Sequence, residues 1–215
     1  MTTDQQDDGR AREPLFNAPW PSLLAVAVIV GSYAWQSAAM SEDAAVMAMG
    51  FAPADLALGR WGRLFSMMFV HAGWTHAIMN ALGALAFGPP VARLFGSQLK
   101  GAAVFVLFYL TCGVLANLGY SAVRLGAVDP VVGASGAVSG LMGAATRLFD
   151  RDRGLSPLFS RPVLSLGGGW IAANVLLALI GVSPLMGGAR IAWEAHVAGL
   201  LAGLLLIGPF WRLAR

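Results

Sequence analysis

WPSLLAVAVIVGSYAWQSAAM, residues 20–40, carries no charged side chain. Its length is about the 20 apolar residues that cross a hydrocarbon core roughly 30 Å thick, so it reads as a first transmembrane span. The preceding MTTDQQDDGRAREP, residues 1–14, is polar and mixed in charge and reads as a short disordered tail, with residues 1–19 as a short polar cytoplasmic segment. Ser37-Ala38-Ala39 resembles a signal-peptidase site, but the acid-rich tail and the long apolar run favour a retained span. The rest of the chain has the same character. Of 215 residues, 57% are hydrophobic and 12% charged, against roughly 45–50% and 25% in soluble domains. The 27 Gly and 7 Trp suit close helix packing and membrane interfaces. This composition excludes disordered, collagenous and disulfide-scaffold classes. The net charge of +3 is spread thinly along apolar stretches and makes no basic stripe, so no nucleic-acid partner is expected. The single cysteine, Cys112, lies in an apolar run and reads as a packing residue.

Further spans are expected near residues 74–91, 101–123, 135–148, 165–183 and 191–211, which with the first makes an all-α integral membrane protein of six spans over residues 20–213. The connection at about 41–73 is different. Its apolar pieces, Val46–Phe51 and Leu64–Val70, are too short to span and are broken by Pro53 and Gly59, so an interfacial position is expected. Orientation follows from the positive-inside bias. With both termini cytoplasmic, Arg10, Arg12, Arg93, Lys100, Arg147, Arg151, Arg153, Arg161, Arg212 and Arg215 lie inside. Arg60, Arg63, Arg124 and Arg190 then lie outside, with Glu42, Asp43, Asp55, Asp129 and Glu194.

Polar groups within a membrane are costly and point to function. On this topology His71, His76 and Asn80 fall in or beside the second span near its outer end, Ser135 opens the fourth, and His196 lies near the outer end of the sixth. Three sequence-distant polar sites thus converge on one side. Ser135 sits in Gly133-Ala-Ser-Gly-Ala137, which lacks the fifth-position glycine of the hydrolase nucleophile elbow. Twelve residues separate it from Arg147, about 18 Å of helix, which puts the serine about 12 Å below the outer surface of a ~30 Å core. The irregular backbone before it is tolerated at that depth only inside protein or beside water. Gly136 and Gly140 beside the serine, and Gly199 and Gly203 beside the histidine, form matched small-residue strips for helix contact. Helices meeting along them could bring imidazole to hydroxyl, the pairing that activates a serine. His76 and Asn80, four apart on one helical face, could donate to a developing oxyanion. Taken singly, Ser135 and His196 each read better as helix-packing or cross-bundle hydrogen-bonding residues, and it is the two together beside matched glycine strips that favour the catalytic reading. For His76 and Asn80 the same alternative is helix–helix hydrogen bonding. Glu194 is off the face of His196, so the residues suggest a Ser-His dyad without an acid.

These residues resemble the rhomboid family of intramembrane serine proteases from about Arg60 to Gly203. His71-Ala-Gly-Trp-Thr-His76-Ala-Ile-Met-Asn80 is similar to its H-x4-H-x3-N, Gly133-Ala-Ser135-Gly136 to its G-x-S-G, and His196-x-x-Gly199-x3-Gly203 to its last-helix signature. The resemblance implies a six-helix bundle with Ser135 as nucleophile and His196 as general base and then acid. It implies an oxyanion hole of His76, Asn80 and the Ser135 N–H at the Gly133 turn, with His71 as support. It implies no cofactor and no metal, an active site opening outward from the cell (inner) membrane, and substrates that are transmembrane proteins in the lipid bilayer. These would be cut after small residues and before helix-weakening ones, entering between the second and fifth spans or over the outer loops. Two positions depart. The family's Trp-Arg pair is Gly62-Arg63 here, and an aromatic that stacks on the histidine in some members is Ser139, so something else must orient His196. The rival readings are a rhomboid-like binder of transmembrane helices that does not cut, and a small transporter. Intact Ser135 and His196 argue against the first, and the absence of an internal repeat or intramembrane carboxylate against the second.

Overall fold

The computed structural model describes residues 18–149, 154–180 and 191–215, which are almost wholly helical. The elements are α1 (Trp20–Ala39), α2 (Glu42–Met49), α3 (Ala54–Ala57), α4 (Arg63–Ser66), α5 (Trp74–Phe95), α6 (Leu99–Val123), α7 (Ser135–Thr146), α8 (Gly168–Ile180) and α9 (Trp193–Ala214). A short π-helical segment, Val163–Gly167, leads into α8. The expected tail at 1–14 lies outside the described residues. So do Arg151, Arg153 and Arg190, and the final part of the span expected to end at 183.

Among the described residues, five helices are long and apolar enough to cross a membrane: α1, α5, α6, the continuous Val163–Ile180 and α9. The span expected over 135–148 is the 12-residue α7, about 18 Å long and too short to cross by itself. It starts at the expected Ser135 and not earlier for a local cause. Residues 130–134 are tied elsewhere: Val131 bridges Phe51, and the Gly133 N–H donates to the Met67 carbonyl at 2.9 Å. Among the described residues the bundle is therefore five long helices around a short central one. Helix α5 runs on past the expected 91 to Phe95, through Pro89 and Pro90, which cost backbone hydrogen bonds but do not end it.

Helix α7 is the hub, buried from Gly136 to Ala144 against α5, α6 and α9. Its contact with α9 is backbone on backbone. A Cβ placed on Gly199 would strike the Gly136 carbonyl oxygen, one on Gly203 that of Gly140, and one on Gly140 the Cys112 side chain. Lipid gives no hydrophobic drive between helices, so small residues that let backbones approach supply the contact. Phe95, Phe105, Phe108 and Ile207 fill the core away from the serine. Leu82, Leu107, Leu177 and Leu205 are exposed on the outside, the apolar coat that lipid requires.

The 41–73 connection folds back on α6 as α2, α3, α4 and a 3-10 turn, Met67–Phe69. It is braced through Arg63, the arginine that follows Gly62. Buried Asp55 accepts from the Ala52 N–H at 2.9 Å and from Arg63 Nη1 at 3.3 Å, while Arg63 Nη2 donates to the Met47 carbonyl at 2.8 Å. Asn117 of α6 donates to the Leu64 carbonyl at 2.8 Å, pinning the loop to the bundle. Burial alone pushes the Asp55 carboxyl up, but the Ala52 N–H and the guanidiniums of Arg63 and Arg60 outweigh it and hold the group below the usual carboxylate range. Asp55 therefore binds fewer protons folded than unfolded. Its contribution is complete above the ordinary carboxylate value and is lost as pH falls through the depressed one. In detergent, the thermal unfolding midpoint should fall across that acid window. Asp55→Asn should flatten that part of the profile and cost about 1–3 kcal/mol at neutral pH.

Candidate active site

Ser135 is the first residue of α7, so its side chain and the unpaired N–H groups of a helix start face the same way. The turn that puts it there needs glycine twice over. Gly133 has φ +115°, and a Cβ on it would lie 2.6 Å from both Cε1 and Nε2 of His76. Helices α5, α7 and α9 alternate with antiparallel neighbours, so their N-termini gather at one end. His76, Ser135 and His196 all occupy a first turn there.

The hydroxyl and imidazole meet. Ser135 Oγ and His196 Nε2 are 2.8 Å apart, and His196 Nδ1 lies 2.5 Å from Oδ1 of Asn174 on α8. Asn174 had not been singled out from the sequence. It is a strongly polar residue in the middle of an apolar span, so the same rule that marks Asn80 would have found it. Ser139, in the place of a stacking aromatic, is fully buried and its hydroxyl has no partner among the described residues. Glu194 turns away from His196 and pairs with Arg124 at 2.6 Å, tying the start of α9 to the end of α6.

His76 and Asn80 lie one turn apart on α5 and are both buried. The Ala72 N–H points at His76 Nδ1 from 3.4 Å, which makes Nδ1 the acceptor and leaves the hydrogen on Nε2, facing Gly133. Asn80 Nδ2 also faces Gly133, is only 5% exposed with its residue, and has no hydrogen-bond partner among the described residues. Two donors are thus aimed at the turn just before the serine. His71 sits behind them. Its Nε2 lies 3.5 Å from the Ala134 N–H, while burial, with His76 alongside, pushes the ring down to about 3 and keeps it neutral. Its backbone is held from α1: Gln36 Nε2 donates to the His71 carbonyl at 2.9 Å and Gln36 Oε1 accepts from its N–H at 3.0 Å. Gln36, like Asn174, went unflagged in the sequence.

A cavity of about 360 Å³ opens over these groups. His76, Ser135 and His196 line it together with Val132, Tyr120 and Asp129. A peptide segment could lie in it with a carbonyl over the serine.

The architecture is a membrane-embedded helical bundle with a hydrogen-bonded serine and histidine at one end. The Rhomboid domain profile matches residues 58–213, and the chain belongs to the rhomboid family. It is similar to YdcA of Bacillus subtilis, 32% identical over 153 residues that are 70% of this chain and 68% of that protein. It is also similar to Rhomboid protein 1, mitochondrial, of Saccharomyces cerevisiae, 30% identical over 141 residues, 64% of this chain and 38% of that one. A further relative is Rhomboid protease GluP of B. subtilis, 29% identical over 127 residues, 56% of this chain and 23% of that one. The chain thus spans about two thirds of YdcA and well under half of the other two.

Proposed function

We propose that this protein is an intramembrane serine endopeptidase that cuts peptide bonds in or near transmembrane segments of other membrane proteins. The observation that carries the reading is the 2.8 Å contact between Ser135 Oγ and His196 Nε2 on the wall of an open cavity. Family membership supports it, as does the similarity to GluP, a rhomboid protease by name. In this mechanism His196 Nε2 takes the Ser135 proton as Oγ attacks the scissile carbonyl, then delivers it to the leaving amine. Negative charge develops on the carbonyl oxygen beside the α7 N-terminus. His76 Nε2–H, the Ser135 N–H and the otherwise unpartnered Asn80 Nδ2 receive it, an arrangement of fixed donors away from bulk water. A second pass with water in place of the amine frees the acyl group. His71 and Gly133 shape the turn that carries the donors.

The substrate helix unwinds locally, since a hydrogen-bonded backbone hides its carbonyls. It reaches the site between α5 and α8 or over the outer loops. The protein belongs in the cell membrane with residues 1–19 and the C-terminus cytoplasmic, the helical membrane body at 20–213, and the cavity opening outward.

Purified protein in liposomes is given a single-span test substrate, and the cut is located by mass spectrometry, with a serine-directed fluorophosphonate probe in parallel. A cut in or beside the apolar segment and an adduct on Ser135 are expected; neither one appearing would overturn the reading. Asn80→Ala should lower kcat by about 10²–10³-fold with little change in KM, because the donor it removes acts mainly in the transition state.

A further inference from the structure

A histidine that is to accept a serine proton must hold its lone pair on the ring nitrogen facing the hydroxyl, so its hydrogen must sit on the other nitrogen. Nothing in an isolated imidazole enforces this. Around His196 the protein does, through a chain of one-way hydrogen bonds. Nδ2 of Asn174 donates to the Trp170 carbonyl one turn earlier on α8, at 2.9 Å. A carbonyl can only accept, so the amide nitrogen must face Trp170 and the amide oxygen must face His196. An amide oxygen also only accepts, so His196 Nδ1 carries the hydrogen and donates it across 2.5 Å. The lone pair is then left on Nε2, where the Ser135 hydroxyl donates at 2.8 Å. Asn174 is 4% exposed and His196 9%, a setting in which a reversed amide would leave two polar groups opposed and unmatched.

We propose that Asn174 is the positioning residue of this site, fixing the tautomer and ring plane of His196 so that Ser135, His196 and Asn174 work as a charge-neutral triad. The inference rests on the proposed peptidase reading and deepens it. Asn174 exchanges no proton. The Ser135 proton goes to Nε2 and on to the leaving amine, while Nδ1–H stays bonded to Oδ1 throughout, including while the ring is cationic. An amide does this without the buried charge that a carboxylate would bring, which is costly to desolvate. It also takes the orienting place that Ser139 cannot fill.

The test compares wild type, Asn174→Leu, Asn174→Asp, Ser135→Ala and His196→Ala in liposomes, with kcat and KM measured across pH and unfolding midpoints recorded. Asn174→Leu should lower kcat about 10²-fold, the low end of what a positioned general base contributes, with KM little changed because orientation of the ring serves proton transfer and not binding. Asn174→Asp is isosteric and keeps the acceptor, so it should retain more activity than Asn174→Leu. Its added charge favours the cationic ring, so the acid limb of its kcat profile should move to higher pH, a change that a merely structural role would not produce. If Asn174→Leu does not fold, Asn174→Asp decides alone. An unmoved acid limb in Asn174→Asp, or wild-type kcat in a folded Asn174→Leu, overturns the positioning role. Full cleavage by Ser135→Ala or His196→Ala would instead overturn the peptidase mechanism beneath it.

Discussion

On the proposed mechanism Ser135→Ala and His196→Ala should each remove cleavage of a single-span test substrate, with a fall of about 10⁴–10⁶-fold in kcat/KM, and the double variant should be no worse than either. The size follows from the two residues acting as one unit. Without the hydroxyl there is no acyl intermediate. Without the imidazole the hydroxyl keeps its proton and is a weak nucleophile. What remains over background is the work of the donors at His76, Asn80 and the α7 N-terminus, which neither substitution touches. Stability should change little in Ser135→Ala, because Ser135 borders the open cavity and only one hydrogen bond is lost, about 1 kcal/mol. Cleavage assays beside thermal unfolding in the same detergent check both parts. A folded Ser135→Ala that still cuts would point to a contaminating protease or to another nucleophile.

The second large effect needs only one carbon. Gly199→Ala puts a Cβ against the Gly136 carbonyl oxygen. No rotamer relieves a clash between a Cβ and a neighbouring backbone, so α7 and α9 must separate. Overpacking of this kind costs about 1–3 kcal/mol and occasionally more. It also acts on the site, because Gly136 adjoins Ser135 and Gly199 is one turn from His196. A misplacement of about 1 Å between reacting groups is worth about 10²-fold in rate. Gly208→Ala on the same helix is the control. Its new Cβ would meet only Leu155 Cδ1 at 3.5 Å, an ordinary contact. Alanine is the better helix former by about 1 kcal/mol, so that variant should be at least as stable as wild type and fully active. Equal behaviour of the two variants would mean that the α7–α9 contact is not as tight as described.

Much of this architecture was legible in the chain because bilayer residence imposes a simple rule on composition. α1, α5, α6 and α9 appear as long, mostly apolar runs, and their ends were misplaced by only a few residues. The extension of α5 from 91 to Phe95 was missed because Arg93, a charge assigned to the cytoplasmic side, lies just beyond the expected end. The gathering of His76, Ser135 and His196 followed from charge counting and alternation of direction, and the glycine spacing anticipated which faces of α7 and α9 would meet. What stayed hidden depends on single contacts. Asp55 and Arg63 are eight residues apart across two short helices, a pairing with no periodic signature. Asn174 and Gln36 are lone polar residues in apolar helices. Their positions announce importance, but only the packing of α8 on α9 and of α1 on the 41–73 connection tells which partner each one serves.

Gln36 also bears on where the working unit begins. Its amide pairs with both backbone groups of His71 just as a neighbouring peptide strand would, yet it lies upstream of the 58–213 region that defines the family. In effect α1 is an in-built splint, a segment outside the family signature that sets the backbone on which that signature's first histidine stands. A chain trimmed to the matched region would keep every residue of the proposed mechanism and lose the brace that holds one end of it still.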